Sequence, residues 1–183
     1  SNTVTLKWLT TGSKTVTINY TSGGCTAGSA TSSTATTVTA LPTPTFTAQP
    51  GATACANTDV TYTTQSGQSN YIWTVPGVLN TDYSITSGGI GTGSNTVTLK
   101  WLTTGSKTVT INYTTSGCTA ASATSSTATT VSAQPTTATN GSTQTICSTG
   151  TATLSGNTPS VGTGAWSVVS GPSTSSGQFS NTA

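Results

Sequence analysis

The sequence lacks most of the residues that chemistry needs. It has no His, no Arg, no Glu and no Met, and its four Lys and two Asp make charged residues 3% of 183 positions. General acid–base catalysis draws on His, Glu, Asp, Lys, Cys or Tyr, and a His-based triad cannot be built without His. The carboxylates, Asp59 and Asp82, are far apart in sequence, a poor start for a calcium cage of six to eight oxygens. A net charge of +2 without one Arg is not a nucleic-acid footprint. No apolar run approaches the ~18 residues of a membrane span. The expectation is therefore no enzyme, no catalytic residues, no cofactor, no metal and no nucleic-acid partner. The chain also begins without Met or a signal-peptide pattern, which reads as a segment of something larger.

What is abundant is Thr and Ser, about two-fifths of the chain. Low charge with many hydroxyls suits a disordered, mucin-like stalk. The internal pattern argues against that. Residues 1–20, SNTVTLKWLTTGSKTVTINY, recur without change at 94–113, an offset of 93. The match runs on through Cys25/Cys118 to Ala40/Ala133, with Ser22/Thr115, Gly23/Ser116, Gly28/Ala121 and Thr39/Ser132 as differences. Such a period is too long for a solenoid and is the size of one small β-sandwich domain. Residues 1–40 then read as the C-terminal half of a module, 46–133 as a complete module, and 138–183 as the N-terminal part of a further one. Pro-containing stretches at 40–45 and 133–137 mark the junctions, where strands stop and the connection stiffens.

The repeated block alternates with period two. Val97, Leu99 and Trp101 fall on one face, and Thr96, Thr98 and Lys100 on the other. Val109, Ile111 and Tyr113 alternate likewise with Thr108, Thr110 and Asn112. That pattern predicts half-buried antiparallel strands, with Thr supplying β propensity on the outer face. The Gly-containing turn 103–106 predicts that these two strands form a hairpin. The complete module reads as strands at 45–49, 59–65, 70–75, 82–86, 95–102, 107–114 and 121–132. Trp73 and Trp101, with their equivalents Trp166 and Trp8, are the expected core anchors, against the alternative of a sugar-stacking platform. Lys7, Lys14, Lys100 and Lys107 fall on the outward register, where charge discourages edge pairing. Without Glu, a Lys–Asn isopeptide crosslink is not expected.

Several segments together resemble a known family. They are Cys55-Ala-Asn-Thr-Asp-Val-Thr-Tyr62, Asn70-Tyr-Ile-Trp-Thr-Val-Pro-Gly77, Asn95-Thr-Val-Thr-Leu-Lys-Trp101, Gly105-Ser-Lys-Thr-Val-Thr-Ile-Asn-Tyr113 and Gly117-Cys-Thr-Ala120. The chain is similar to PKD-like, immunoglobulin-like repeats of giant surface proteins of the Bacteroidetes, nearest to the gliding-motility adhesins of flavobacteria. Cys147 to Pro172, with Gly164-Ala-Trp-Ser167, resembles another repeat type of the same proteins. The resemblance implies an all-β fold of tandem immunoglobulin-like antiparallel β-sandwich modules on the extracellular bacterial surface, exported by type IX secretion. The implied partners are neighbouring modules of the same chain, the secretion and gliding machinery, and a surface polysaccharide or abiotic surface. Repeats of this family often carry an acidic turn after the Trp strand. Here Val75-Pro-Gly77 stands in its place, which weakens metal binding there.

The four cysteines fall on two module positions, Cys25/Cys118 and Cys55/Cys147. Two per module fits disulfides in an oxidising compartment, and no CxxC spacing or His suggests a metal. The simplest pairing is Cys55 with Cys118, leaving Cys25 and Cys147 with partners outside the segment. Immunoglobulin-like topology objects, because these positions tend to lie at opposite ends of a sandwich. A bond across a module junction is the alternative, and free thiols a third. Asn19, Asn112 and Asn140 match the N-glycosylation pattern, which arises easily in a Thr-rich chain. The functional expectation is a repeat segment of a large secreted adhesin, an extended stalk for attachment and gliding. A carbohydrate-binding module and a passive spacer in a large secreted enzyme are the alternatives.

Overall fold

The computed structural model describes residues 2–91 and 93–171, so residues 172–183 of the expected third module lie outside the described part. No helix occurs among the described residues. Six short strands lie in the first repeat: β1 (Gly12–Lys14), β2 (Thr17–Ile18), β3 (Thr21–Ser22), β4 (Cys25–Thr26), β5 (Thr31–Ser32) and β6 (Thr36–Val38). Eleven more build residues 46–132: β7 (Phe46–Ala48), β8 (Thr53–Cys55), β9 (Asp59–Thr64), β10 (Ser69–Thr74), β11 (Tyr83–Gly88), β12 (Thr96–Trp101), β13 (Gly105–Lys107), β14 (Thr110–Thr115), β15 (Cys118–Thr119), β16 (Thr124–Ser125) and β17 (Thr129–Ser132).

These eleven strands form a β-sandwich. One sheet runs β11-β12-β9-β7, and the facing sheet is β10-β14-β15 with β16 also on β14. A smaller sheet, β13-β17-β8, includes the one parallel pairing between named strands, β17 with β8. The alternation in the sequence decides what faces inward. Val60 and Tyr62 of β9 and Val97, Leu99 and Trp101 of β12 meet Tyr71 and Trp73 of β10 and Ile111 and Tyr113 of β14, all buried in one cluster. Phe46 packs against the cluster with its ring 6.2 Å from Tyr62 and 6.0 Å from Trp73, so it touches both sheets. Tyr71–Tyr113 and Tyr83–Trp101 add edge-on ring pairs at 6.0 Å, the geometry that aromatic quadrupoles favour. Gly88 sits beside a bulge in the β11–β12 ladder at φ 68°, where any side chain would strike the Thr96 carbonyl.

The expected hairpin is absent. β12 pairs with β11 and β9, whereas β14 pairs with β10, β15 and β16, so the two alternating segments lie in opposite sheets. Gly105, at φ 106°, turns the chain from one sheet to the other, and 105–107 becomes a strand of its own on β17. Two other expectations change in detail. The segment 121–132 breaks into β16 and β17, and Thr53–Cys55, not expected as a strand, pairs with β17.

The first repeat keeps the local pairings of the second and loses its core. Gly12↔Val38, Thr17↔Ser32 and Ser22↔Cys25 reproduce Gly105↔Val131, Thr110↔Ser125 and Thr115↔Cys118. The Lys14 ammonium donates to Thr10 at 2.8 Å as Lys107 donates to Thr103 at 2.9 Å. Residues 2–9, identical to 95–102, form no strand. The strands that flank 96–101, β9 and β11, have no second copy among the described residues and are taken by β12. Trp8 is accordingly half-buried and outside the core cluster, which corrects its expected role as an anchor. Trp166 is corrected for a related reason. It is 45% exposed, and residues 133–171 contribute no named strand that could cover it. An Asn140↔Gly156 bridge and a hydrogen bond from the Thr139 backbone N–H to the Asn157 side-chain oxygen at 2.7 Å are among the contacts there.

Candidate functional site

The two carboxylates do structural work. Asp82 accepts from the Val78 amide at 2.8 Å and, weakly, from the Thr103 hydroxyl at 3.4 Å. This closes the loop after the Val75-Pro-Gly77 turn. Gly77 has φ 95°, and a Cβ there would lie 2.6 Å from that of Asp82, so the turn accepts only Gly. Asp59 accepts from the Thr86 hydroxyl at 2.8 Å on the outer face of the β11-β12-β9 sheet. Thr61 and Thr98 share a hydrogen bond at 2.9 Å on that face, and Thr96 donates to Thr63 at 3.3 Å. Cross-strand Thr pairs of this kind stabilise a sheet without charge. No group of three or more His, Cys, Asp or Glu that could hold a metal exists among the described residues.

The tryptophans of the complete module are used in its interior. Trp73 is buried and donates its indole N–H to the Ser94 carbonyl at 2.8 Å. Trp101 is fully buried, with the Lys107 ammonium 5.4 Å from its ring centroid, a cation–π contact. Neither offers a face on which a sugar could stack. The Trp101 indole N–H and the Tyr62 hydroxyl are buried without a partner in good hydrogen-bonding geometry. Burial pushes the Tyr62 hydroxyl above the usual phenol value, with the neighbouring Trp101 and Thr129 side chains partly offsetting it. Burial, and then the neighbouring Tyr71, push Tyr113 the same way. These shifts come from packing and mark no reactive group.

All four cysteines are free thiols, with Cys118 half-buried and the other three exposed. Cys55 ends β8, four residues before Asp59 at the start of β9. Cys118 opens β15, in register with Thr115, where β14 runs beside the start of β10. That is the other end of β9, so about a six-residue strand, on the order of 17–20 Å, separates the two. A disulfide needs Cα atoms within ~7 Å. The structure therefore does not bring Cys55 and Cys118 together.

What does lie beside Cys118 is the preceding segment. The Thr39 hydroxyl and the Cys118 thiol are 3.0 Å apart. The linker continues along the same edge. The Tyr113 hydroxyl donates to the Thr43 carbonyl at 3.3 Å, and the Thr124 hydroxyl donates to the Pro44 carbonyl at 2.7 Å. A shallow cavity of about 210 Å³ lies between Leu41–Pro44 and Ala121–Thr124. Sequence reasoning placed the linker but not this docking, because the hydrogen bonds run from side chains to backbone carbonyls, which carry no sequence signal. Comparison with protein-family models and with curated proteins finds no match to this chain.

Proposed function

We propose that this chain is a stretch of a repeated, load-bearing stalk in a large secreted adhesin on the bacterial surface, with gliding motility as one use of that attachment. The observation that carries the reading is the docked junction. A 93-residue repeat in which the linker is hydrogen-bonded to the module after it favours an extended, semi-rigid string over freely jointed beads. The hydroxyl-rich, nearly uncharged outer faces suit contact with neutral polysaccharide or an abiotic surface, and repetition would multiply weak contacts into useful avidity. The family resemblance supports the setting, with type IX export and neighbouring modules as partners. It also supports a tandem immunoglobulin-like arrangement around the sandwich described above.

A disulfide across the junction fits this reading better than one within the module. Thr39 corresponds to Ser132, and Ser132 is the register partner of Cys55. By the repeat, the counterpart of Cys55 in the preceding module would lie near Thr39, and thus near Cys118. In an oxidising exterior such bonds would join module to module and resist pulling. The test is retention under flow. Beads coated with the chain at several densities are passed over polysaccharide-coated and bare glass. Retention that rises steeply with density is expected. Beads that leave as fast as uncoated ones on both surfaces would sink adhesion and leave the spacer alternative.

A further inference from the structure

The complete module has its two ends at opposite poles. Phe46 is in register with Thr64, the last residue of β9, and Ser132 is in register with Cys55, which lies just before Asp59, the first. β7 and β8 therefore run from the entry pole toward the exit pole, and β17 runs the same way beside β8. Tension along the chain drags β8 back toward the entry and β17 forward toward the exit. Two parallel strands pulled in opposite directions are sheared. Every bond between them carries load at once, whereas a hairpin pulled at its open end parts one bond at a time.

We infer that the parallel pairing of β8 with β17 is a mechanical clamp, the element that sets how fast the module yields to end-to-end tension. Its ladder, Thr53↔Thr130, Ala54↔Val131 and Cys55↔Ser132, is extended at both ends. The Thr130 amide donates to the Ala52 carbonyl at 2.8 Å, and the Ala56 amide donates to the Ser132 carbonyl at 2.8 Å. Ahead of the ladder the Thr129 hydroxyl donates to the Gly51 carbonyl at 3.0 Å, and the Thr127 amide donates to the Gln49 side chain at 3.0 Å. Thr129 and Val131 are buried, so water is kept from the inner side of β17, where it would otherwise replace bonds as they stretch. On its other edge β17 is held by β13, whose Lys107 is tied to Thr103 and lies over the Trp101 ring. Sliding β17 thus breaks two ladders together. The inference rests on the load-bearing reading for its use, and on the sandwich alone for its test.

The most direct probe is a pair of neighbouring substitutions. Ala52 and Ala56 turn backbone groups to β17, so by alternation Ala54 does too, while the Thr53 amide faces out from the edge strand. Proline removes the amide at either position. The full chain, tagged at both termini, is stretched at constant force under reducing conditions, and its unfolding in urea is followed alongside. The module should open in one step of roughly 270 Å, the extended length of residues 46–132 less the folded length. Ala54→Pro is expected to open about tenfold faster under load than Thr53→Pro. Thr129→Val, which keeps the shape and loses the Gly51 bond, should open at least about threefold faster than the unaltered chain. Ile85→Ala lies in β11, off the clamp. It should lower the urea midpoint yet leave the rate under load within about twofold, because the core is still formed when the clamp lets go. Equal rates for Ala54→Pro and Thr53→Pro would overturn the inference, and so would acceleration by Ile85→Ala matching that by Thr129→Val. If Ala54→Pro does not fold, Thr129→Val decides, and an unchanged rate under load sinks the clamp. A failed clamp leaves adhesion of the coated beads untouched, and beads that do not adhere leave the clamp standing.

Discussion

Tyr62 buries its phenol hydroxyl in the core without a well-aligned partner, as Trp101 does its indole N–H. A buried hydroxyl without a partner costs roughly 1–3 kcal/mol, whereas a ring of the same shape without the oxygen does not. Tyr62→Phe is expected to leave the domain as stable as before or more stable by up to about 1 kcal/mol in urea unfolding. A loss above about 1 kcal/mol would show that the oxygen is bonded, to Trp101 or Thr129. The same residue sets an alkaline limit. Its folded value is raised above the usual 10.0, so the unfolded chain gives up this proton first. Stability is full below that value and falls as pH rises through the raised one. Tyr62→Phe should flatten this fall above pH ~10 without abolishing it, because Tyr113 is shifted in the same direction. An unchanged slope in melting temperature against pH would exclude Tyr62 as its source. Ser116 is a second strained point. It sits at φ 50° in the two-residue turn before Cys118, and its counterpart in the first repeat is Gly23 at φ 59°. Both turn positions have positive φ, the pattern of the tight hairpin turn that favours Gly, Asn or Asp. Ser116→Gly is expected to raise stability by about 0.5 kcal/mol, the relief of strain exceeding the added freedom of the unfolded chain. Ser116→Val should lower it by more than about 1 kcal/mol, and the reverse ranking would mean the turn is not of this type.

At the scale of strands, identical sequences test what position contributes beyond side-chain identity. Leu99 is fully buried between two sheets, and Leu6, in the same local sequence, is largely exposed. Leu99→Ala is expected to cost about 3 kcal/mol of unfolding free energy, and Leu6→Ala within about 0.5 kcal/mol. Equal costs would mean that residues 2–9 are packed in solution. The pair also explains what was legible in advance. Alternation told which side chains of 96–101 and 110–113 face inward, because period two is a property of one strand. It could not tell which strands are neighbours. A strand pair joined by a turn reads the same whether it folds back in one sheet or crosses to the facing one, since both place Val97 and Ile111 toward a common core. The turn at 103–106 therefore reads as a hairpin, although it carries a crossover. Trp8 and Trp166 fail as anchors for a different reason. Their sequence neighbourhoods are those of core residues, but burial depends on segments that lie elsewhere. The carboxylate roles of Asp59 and Asp82 are illegible too, because a lone Asp at the start of a strand or in a turn announces no partner.

At the scale of the molecule, the junction decides whether the modules act as one body. Residues 39–44 move with the sandwich only if they are held against it, and among the described residues the hold rests on three bonds, between residues 39–44 and Cys118, Tyr113 and Thr124. Two involve backbone carbonyls, so they survive sequence drift in the linker, and the Pro residues at 42 and 44 remove amides that would otherwise need partners. The third can be made into a covalent reporter. Thr39→Cys, in a Cys25→Ser background, places a thiol where a hydroxyl already lies 3.0 Å from Cys118. With oxidised glutathione as the acceptor of two electrons, that thiol and Cys118 should exchange into an intramolecular disulfide. Mass falls by about 2 Da and the band runs faster on a non-reducing gel. Adding Cys118→Ser should remove the bond, whereas adding Cys55→Ser should not, because Cys55 lies at the far end of the sandwich. If the new thiol stays reactive while glutathione is consumed elsewhere, or pairs with Cys55, the linker is not docked as described. The cross-junction disulfide scheme, which needs that docking, would then fall with it.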